Sequence, residues 1–215
     1  MILIPVKDLA AAKQRLASVV DQSARTKLAR AMLEDVMTTL HHWVGRPRVA
    51  VVSSDSCAME MANRLGFEVI PDPNNPGETG AIEMATQVCV DNGVGWTMVI
   101  PADIPLIQAW ELEEILKRAP PEGSVLVPAD DGRGTNAAFR RPADLFPLRF
   151  GNDSFKPHHA AAKATGKACV VMNLPGVALD VDNPADLQQL ISRPGNTRAQ
   201  QMARELGLAA IPPLR

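Results

Sequence analysis

The sequence predicts an α/β fold: a mostly parallel, mixed sheet covered by helices on both faces. Three observations carry that prediction. Short apolar runs rich in valine and isoleucine alternate with longer amphipathic stretches, the rhythm of strands joined by crossover helices. Hydrophobic residues make up 46% of the 215, enough for a substantial core. Two apolar runs far apart in sequence, Met98-Val99-Ile100 and Val177-Ala178-Leu179, read as buried strands that end at Asp103 and Asp180 with a proline close behind. Open α/β sheets bind their ligands at such strand ends.

The elements follow in order. Ile2 to Val6 reads as the first strand. Ser23 to Trp43 reads as a long helix, because Leu28, Met32, Val36 and Leu40 recur every fourth residue. Arg48 to Ser53 is the second strand, Cys57 to Leu65 a helix stopped by Gly66, and Phe67 to Ile70 the third strand. The Pro, Gly and Asn content of Pro71 to Gly80 predicts a loop. Ala81 to Asn92 returns to helix and Thr97 to Ile100 to strand. Ser124 to Pro128 and Ala137 to Arg140 read as strands around an Asp130-Asp131-Gly132 turn. Ser154 to Thr165 reads as a helix and Ala168 to Met172 as a strand, with helices over Pro184 to Ile191 and Thr197 to Leu206. One domain is expected over residues 1–208, then a proline-containing tail over 209–215.

Composition excludes several classes. A net charge of −2 gives no general attraction to nucleic acid or membrane, and no apolar run reaches the roughly 20 residues of a membrane helix. No secretory signal is apparent, and the three scattered cysteines form neither a metal spacing nor a disulfide framework. A reducing cytoplasm is the expected setting. Gly-rich P-loop and dinucleotide fingerprints are absent, and no nucleophile elbow is present.

Four segments offer chemistry. Asp180 and Asp182 are two residues apart and, in extended chain, point to the same side. With Asp103 they supply hard oxygen donors suited to Mg²⁺ beside substrate phosphates; strand-end or capping aspartates are the other reading. After the first strand, Pro5-Val6-Lys7 leads to Lys13 and Arg15. That is either a solvated basic turn or a set of cations for nucleotide phosphates. Gly132-Arg133-Gly134-Thr135-Asn136 is a turn whose glycines permit close backbone approach and whose Thr–Asn pair offers polar groups. Phe150-Gly151-Asn152-Asp153-Ser154 precedes a helix; Ser154 is a plausible N-cap, the helix start an anion site, and His158 one turn later could face the same ligand. His41 and His42 fall at the end of the long helix, where they complement its dipole.

Taken in order, these blocks resemble the phospholactate guanylyltransferase family of coenzyme F-420 biosynthesis: Pro5-Val6-Lys7 with Lys13-x-Arg15, Pro101-Ala102-Asp103, Gly132-Arg133-Gly134-Thr135-Asn136, Phe150-Gly151-x-x-Ser154-Phe155-x-x-His158, and Leu179-Asp180-Val181-Asp182-Asn183-Pro184. The resemblance implies a single nucleotidyltransferase domain, GT-A-like and Rossmann-like. It implies transfer of GMP from GTP to a three-carbon phospho acid (2-phospho-L-lactate, phosphoenolpyruvate or 3-phospho-D-glycerate) with release of diphosphate. Asp103, Asp180 and Asp182 would bind Mg²⁺ and, with Lys13, form the catalytic group. Pro5, Val6, Lys7, Lys13, Arg15, Gly77, Thr79, Pro101 and Ala102 would meet GTP. Thr135, Asn136, Gly151, Ser154 and His158 would hold the acceptor. The expected partners are GTP, the acid, a possible second copy of the chain, and the next enzyme of the pathway. Nucleotidyl transfer to a sugar phosphate or molybdopterin, and nucleotide binding without turnover, are the rival readings. Gly77-Glu78-Thr79 stands where the family usually carries Gly-Leu-Asn, a departure that bears on purine or acceptor choice.

Overall fold

The structure, a computed structural model, describes residues 1–74, 77–151 and 153–206. In chain order the elements are β1 (Ile2–Pro5), α1 (Gln22–His42), β2 (Val49–Ser53), α2 (Ser56–Arg64), β3 (Glu68–Pro71), α3 (Glu78–Asp91), β4 (Thr97–Val99), α4 (Ala109–Arg118), β5 (Gly123–Pro128), β6 (Thr135–Arg141), α5 (Phe155–Ala164), β7 (Ala168–Val171), α6 (Pro175–Ala178), α7 (Pro184–Ser192) and α8 (Arg198–Glu205). The strands form one sheet in the order β3-β2-β1-β4-β6-β5-β7. β6 runs antiparallel to β4 and β5, and the other pairings are parallel. The predicted mostly parallel, mixed sheet is thus present, and the expected tail over 209–215 lies outside the described residues.

Strand alternation divides the core between the two faces. Ile2 and Ile4 of β1 belong to the cluster containing Leu28, Met32, Val36 and Leu40 of α1, all fully buried. Leu3 faces the opposite way and packs with Ile82, Ala85 and Cys89 of α3. Each fully buried leucine or methionine contributes roughly 1.5–3 kcal/mol, so α1 is fixed by its apolar stripe. Asp35 on α1 is buried and accepts hydrogen bonds from Arg198 N (2.9 Å) and Ala199 N (2.8 Å), which anchors the start of α8. His41 and His42 lie exposed in the last turn of α1, as expected.

Three readings need correction. Val177 to Leu179 is not a strand: Val177 and Ala178 belong to the helical turn α6, and only Leu179 is extended (φ −90°, ψ 93°). Pro175 at the first helical position favours that turn. The loop expected through Gly80 ends at Gly77, whose φ of +89° lets α3 begin at Glu78. Helix α4 was not anticipated, although Leu112 and Ile115 form its buried stripe.

The pairing directions decide where the site can form. β1, β4 and β5 end at one edge of the sheet, and antiparallel β6 begins there. The segments after β1, β4 and β5 therefore meet Thr135 and Asn136 at a single rim. Arg140, buried on β6, steadies the chain leading to that rim. Its guanidinium donates to Phe146 O (2.7 Å), Thr86 Oγ1 (2.8 Å) and Thr97 Oγ1 (3.2 Å). Burial lowers its pKa to about 10, so it remains charged at neutral pH.

Candidate active site

The two acidic segments meet at one backbone hydrogen bond, from Val181 N to Asp103 O (3.1 Å). Asp180 and Asp182 thereby flank the Asp103 strand end. The α6 turn that delivers them is tied down by Glu111, which accepts from Gly176 N (2.7 Å) and Gln108 N (2.9 Å). Glycine is required at 176, since a Cβ there would sit 2.3 Å from Glu111 Oε2 and 2.5 Å from Leu106 O. After the acidic pair, Asp186 accepts from Asp182 N (2.9 Å) and Asn183 N (3.0 Å), closing the capping box of α7.

Lys13 enters the same place from the β1 side. Asp8 accepts from Ala10 N (2.8 Å) and shapes a 3₁₀ turn over Leu9–Ala11. Lys13 then takes a left-handed backbone conformation, φ +56° and ψ +42°, which is uncommon for a residue with a Cβ. Its ammonium donates to Asp103 Oδ2 and, at 2.9 Å, to Asp182 Oδ1. Arg15 Nη1 lies 3.5 Å from Asp182 Oδ2. Burial opposes the charge of Lys13, yet Asp103 and Asp182 outweigh it and raise its pKa. Burial likewise opposes the charge of Asp182, but Lys13 and Arg15 hold it below its ordinary value.

The remaining carboxylates are less well neutralised. Burial, followed by the charge of Asp103, raises Asp180 to about 6. Burial, again followed by Asp103, raises Glu78 to about 7. Asp103 Oδ1 is buried with no hydrogen-bond partner. The three aspartates share one rim without converging on a point: among the described residues, no three His, Cys, Asp or Glu groups form a ready metal cluster. The Lys13 ammonium lies between two of them.

Two cavities open on either side of this acidic centre. One, of about 420 Å³, is lined by Thr135, Asn136, Gly151, Ser154 and Asp180. The other, of about 540 Å³, is lined by Pro5, Val6, Lys7, Lys13 and Ala102. They share Arg15, Glu78, Pro101, Asp103 and Asp182. The residues expected to hold an acceptor, His158 excepted, therefore line one chamber, and most of those expected to meet a nucleotide line the other.

Some predicted residues play a different part. Asn136 Nδ2 donates to Val177 O (3.1 Å), Ala178 O (2.9 Å) and Asp180 Oδ1 (2.9 Å), so its amide fixes α6 and Asp180. Thr79 lines neither chamber. Its Oγ1 accepts from Phe150 N (2.9 Å) and donates to Phe150 O (3.2 Å), tying α3 to the Gly151 loop. Gly77 also lies outside both linings, with Lys7 Nζ 4.0 Å from the place a Cβ would take. Ser154 does not cap α5 with its side chain; its hydroxyl points to Thr135 Oγ1, 3.4 Å away. His158 is 1% exposed and stands behind Thr135 rather than in the chamber. Glu78 was not predicted as a site residue; the buried face of α3 that begins there was the available signal. Arg133 pairs with Asp153, and its carbonyl accepts from Phe155 N (2.8 Å), which couples the glycine turn to α5.

The family profile described as "Guanylyl transferase CofC like" matches residues 1–213. A phosphoenolpyruvate guanylyltransferase from Roseiflexus castenholzii is 35% identical over 203 residues, covering 94% of this chain and 93% of the relative. A 2-phospho-L-lactate guanylyltransferase from Methanothermobacter thermautotrophicus is 33% identical, covering 98% and 92%. A 3-phospho-D-glycerate guanylyltransferase from Colwellia psychrerythraea is 32% identical, covering 88% and 90%. Among solved structures, one from Desulfovibrio desulfuricans G20 described as a nucleotide-diphospho-sugar transferase superposes with a TM-score of 0.76 at 19% identity, covering 95% of this chain and 93% of that one. At that identity the likeness concerns the fold.

Proposed function

The chain belongs to the CofC-like guanylyl transferase family, and on that premise we propose that it moves GMP from GTP onto the phosphate of a three-carbon phospho acid, releasing diphosphate. The acceptor is 2-phospho-L-lactate, phosphoenolpyruvate or 3-phospho-D-glycerate, the acids named for its relatives. The observation that carries the reading is the pair of chambers sharing one acidic, cation-bridged wall. GTP occupies the chamber bordered by Lys7, Lys13 and Arg15, and the acid occupies the chamber bordered by Thr135, Gly151 and Ser154.

The donor set fits a divalent cation. It consists of hard carboxylate oxygens; Asp103 Oδ1 is buried and unpartnered, and burial, followed by the charge of Asp103, raises Asp180 to about 6. Asp103, Asp180 and Asp182 would hold Mg²⁺, which when bound supplies neutralisation of phosphate charge.

An oxygen of the acceptor phosphate attacks the α-phosphorus of GTP, forming a new P–O bond. The bond from the α-phosphorus to the β-phosphate oxygen breaks, and diphosphate leaves. The acceptor phosphate is already ionised at pH 7, so no strong general base is required. The protein's task is to hold two anions in line. Lys7, Lys13 and Arg15 offset their repulsion, and Asn136 keeps Asp180 oriented through its amide. The reaction belongs to a cytoplasmic setting, and its product, in which the acid's phosphate and GMP are joined by an activated phosphoanhydride link, suits hand-over to the next enzyme of coenzyme F-420 synthesis. Among the described residues no helix is long and apolar enough to cross a membrane.

The test is diphosphate release with GTP and Mg²⁺ against the three acids in parallel, with ATP as control. Release that requires GTP and one acid supports the reading and names the acceptor. Release with none of them would overturn it. Asp103→Asn is expected to lower turnover by orders of magnitude in a folded protein.

A further inference from the structure

His158 sits in the first turn of α5 behind the proposed acceptor chamber, and both of its ring nitrogens are engaged. The backbone N–H of Arg149 donates to Nε2 at 2.7 Å. A ring nitrogen that accepts carries no hydrogen, so the single hydrogen of the neutral imidazole is on Nδ1. Nδ1 lies 2.9 Å from Thr135 Oγ1 and donates to it. Protonating the ring would set an Nε2–H against the Arg149 N–H, and that geometry alone disfavours the cation. Burial, with the nearby Arg140 charge, acts in the same direction and lowers the His158 pKa to about 4. Phe150 meets the ring edge-on, with centroids 5.1 Å apart, and fixes its plane.

The consequence falls on Thr135. Its oxygen already accepts from His158, so its own hydrogen is free to turn elsewhere. Ser154 Oγ, at 3.4 Å, is beyond the usual 2.5–3.0 Å of a good O–H···O bond, so neither hydroxyl satisfies the other well. Both line the chamber. We propose that His158 is a positioning residue: through Nδ1–H it makes the Thr135 hydroxyl a hydrogen-bond donor to an oxyanion of the acceptor acid. The same arrangement removes a competing orientation, because a threonine hydroxyl spent on a ring acceptor would present only lone pairs to an anion. The inference rests on the acceptor chamber assigned above.

Two measurements test it. The first is long-range ¹H–¹⁵N correlation of the imidazoles in the unliganded protein at pH 7, with the His158 signal assigned by its loss in His158→Phe. A neutral Nδ1–H tautomer is expected; an Nε2–H tautomer or a protonated ring would overturn the proposal. The second is steady-state kinetics. A hydrogen bond to a charged group is worth about 1.5–3 kcal/mol, so His158→Phe should raise the acceptor KM by roughly 10- to 100-fold while the GTP KM stays put and kcat changes little. His158→Asn places an amide N–H near the Nδ1 position and should recover most of that loss. Inorganic phosphate and pyruvate, as competing inhibitors, separate the two oxyanions of the acid, since only the one seated on Thr135 loses affinity in His158→Phe. An unchanged acceptor KM in His158→Phe would refute the role. Should His158→Phe fail to fold, His158→Asn supplies the assignment and the tautomer decides. Should no acid be turned over, the chamber assignment fails, and the tautomer still reports whether Thr135 is set as a donor.

Discussion

Replacing Lys13 with methionine should turn the acidic wall against itself. The Lys13 side chain is 7% exposed and bridges Asp103 and Asp182, whose side chains are 26% and 40% exposed. Breaking a buried ion pair by removing one partner costs about 3–5 kcal/mol. Because both aspartates retain some water, the lower end applies, about 3 kcal/mol. For a chain of this size each kcal/mol moves Tm by about 2–4 °C, so Lys13→Met should melt roughly 6–12 °C lower in metal-free buffer. The informative quantity is a sign. In the parent protein Asp103→Asn removes a partner of the ammonium and should destabilise. In the Lys13→Met background the same change removes like-charge repulsion and should stabilise. A double-mutant cycle by urea unfolding in chelator reads the coupling directly. If Asp103→Asn destabilises equally in both backgrounds, Lys13 is not what holds the carboxylates together, and the electrostatic account of this wall is wrong.

Other perturbations have equally definite outcomes. Asn136→Ala removes the amide donor from Val177 O and Asp180 Oδ1, while Ala178 O keeps Asp130 N; a loss of about 1–3 kcal/mol in chemical denaturation is expected, with turnover falling further than stability explains. Gly176→Ala drives a methyl into Glu111 and the Leu106 carbonyl, and should cost about 1–3 kcal/mol, read as a lower urea midpoint. The pH dependence of stability should carry the mark of His158. Its pKa falls from 6.5 to about 4 on folding, chiefly through burial. The unfolded chain therefore takes up the proton first, and stability present above pH 6.5 is lost as pH falls toward 4. The differential is about 3 kcal/mol. Urea unfolding at pH 7 and pH 4.5 should show the gap between the parent and His158→Asn narrowing at the lower pH; a widening gap would contradict the assigned direction.

Asp103 was legible because β4 announces itself as a continuous apolar run. The Asp180–Asp182 pair reaches the same rim through the Val181 N to Asp103 O hydrogen bond, but it follows a helical turn rather than a strand, and among the described residues the three carboxylates do not converge as expected. The short run Val177–Leu179 was misread because three apolar residues show no period that separates strand from helix. Lys13 was named from its charge and place after β1, but its position between two carboxylates depends on a left-handed backbone residue that side-chain pattern does not announce. His158 was placed one turn after Ser154 correctly, yet spacing along a helix says nothing about which residue comes between it and a ligand. Here that residue is Thr135, contributed by β6. Asn136 shows the same limit: its amide NH₂ looks free for a ligand in sequence and is spent on the α6 carbonyls and Asp180 in the fold.

The contact between Lys13 and Asp182 spans 169 residues, and that distance sets an order of events when the chain is made. Closing so long a loop carries an entropic cost that must be met before the contact returns anything, so this pairing belongs to late folding. A nascent chain emerging from N- to C-terminus can complete β1 through β4 while Asp103 and Lys13 still await their third partner. The wall between the chambers forms only after residue 182 has been synthesised. Fragments ending earlier would retain much of the sheet but lack the acidic pair, so incomplete copies of this protein are expected to be inert toward its substrates.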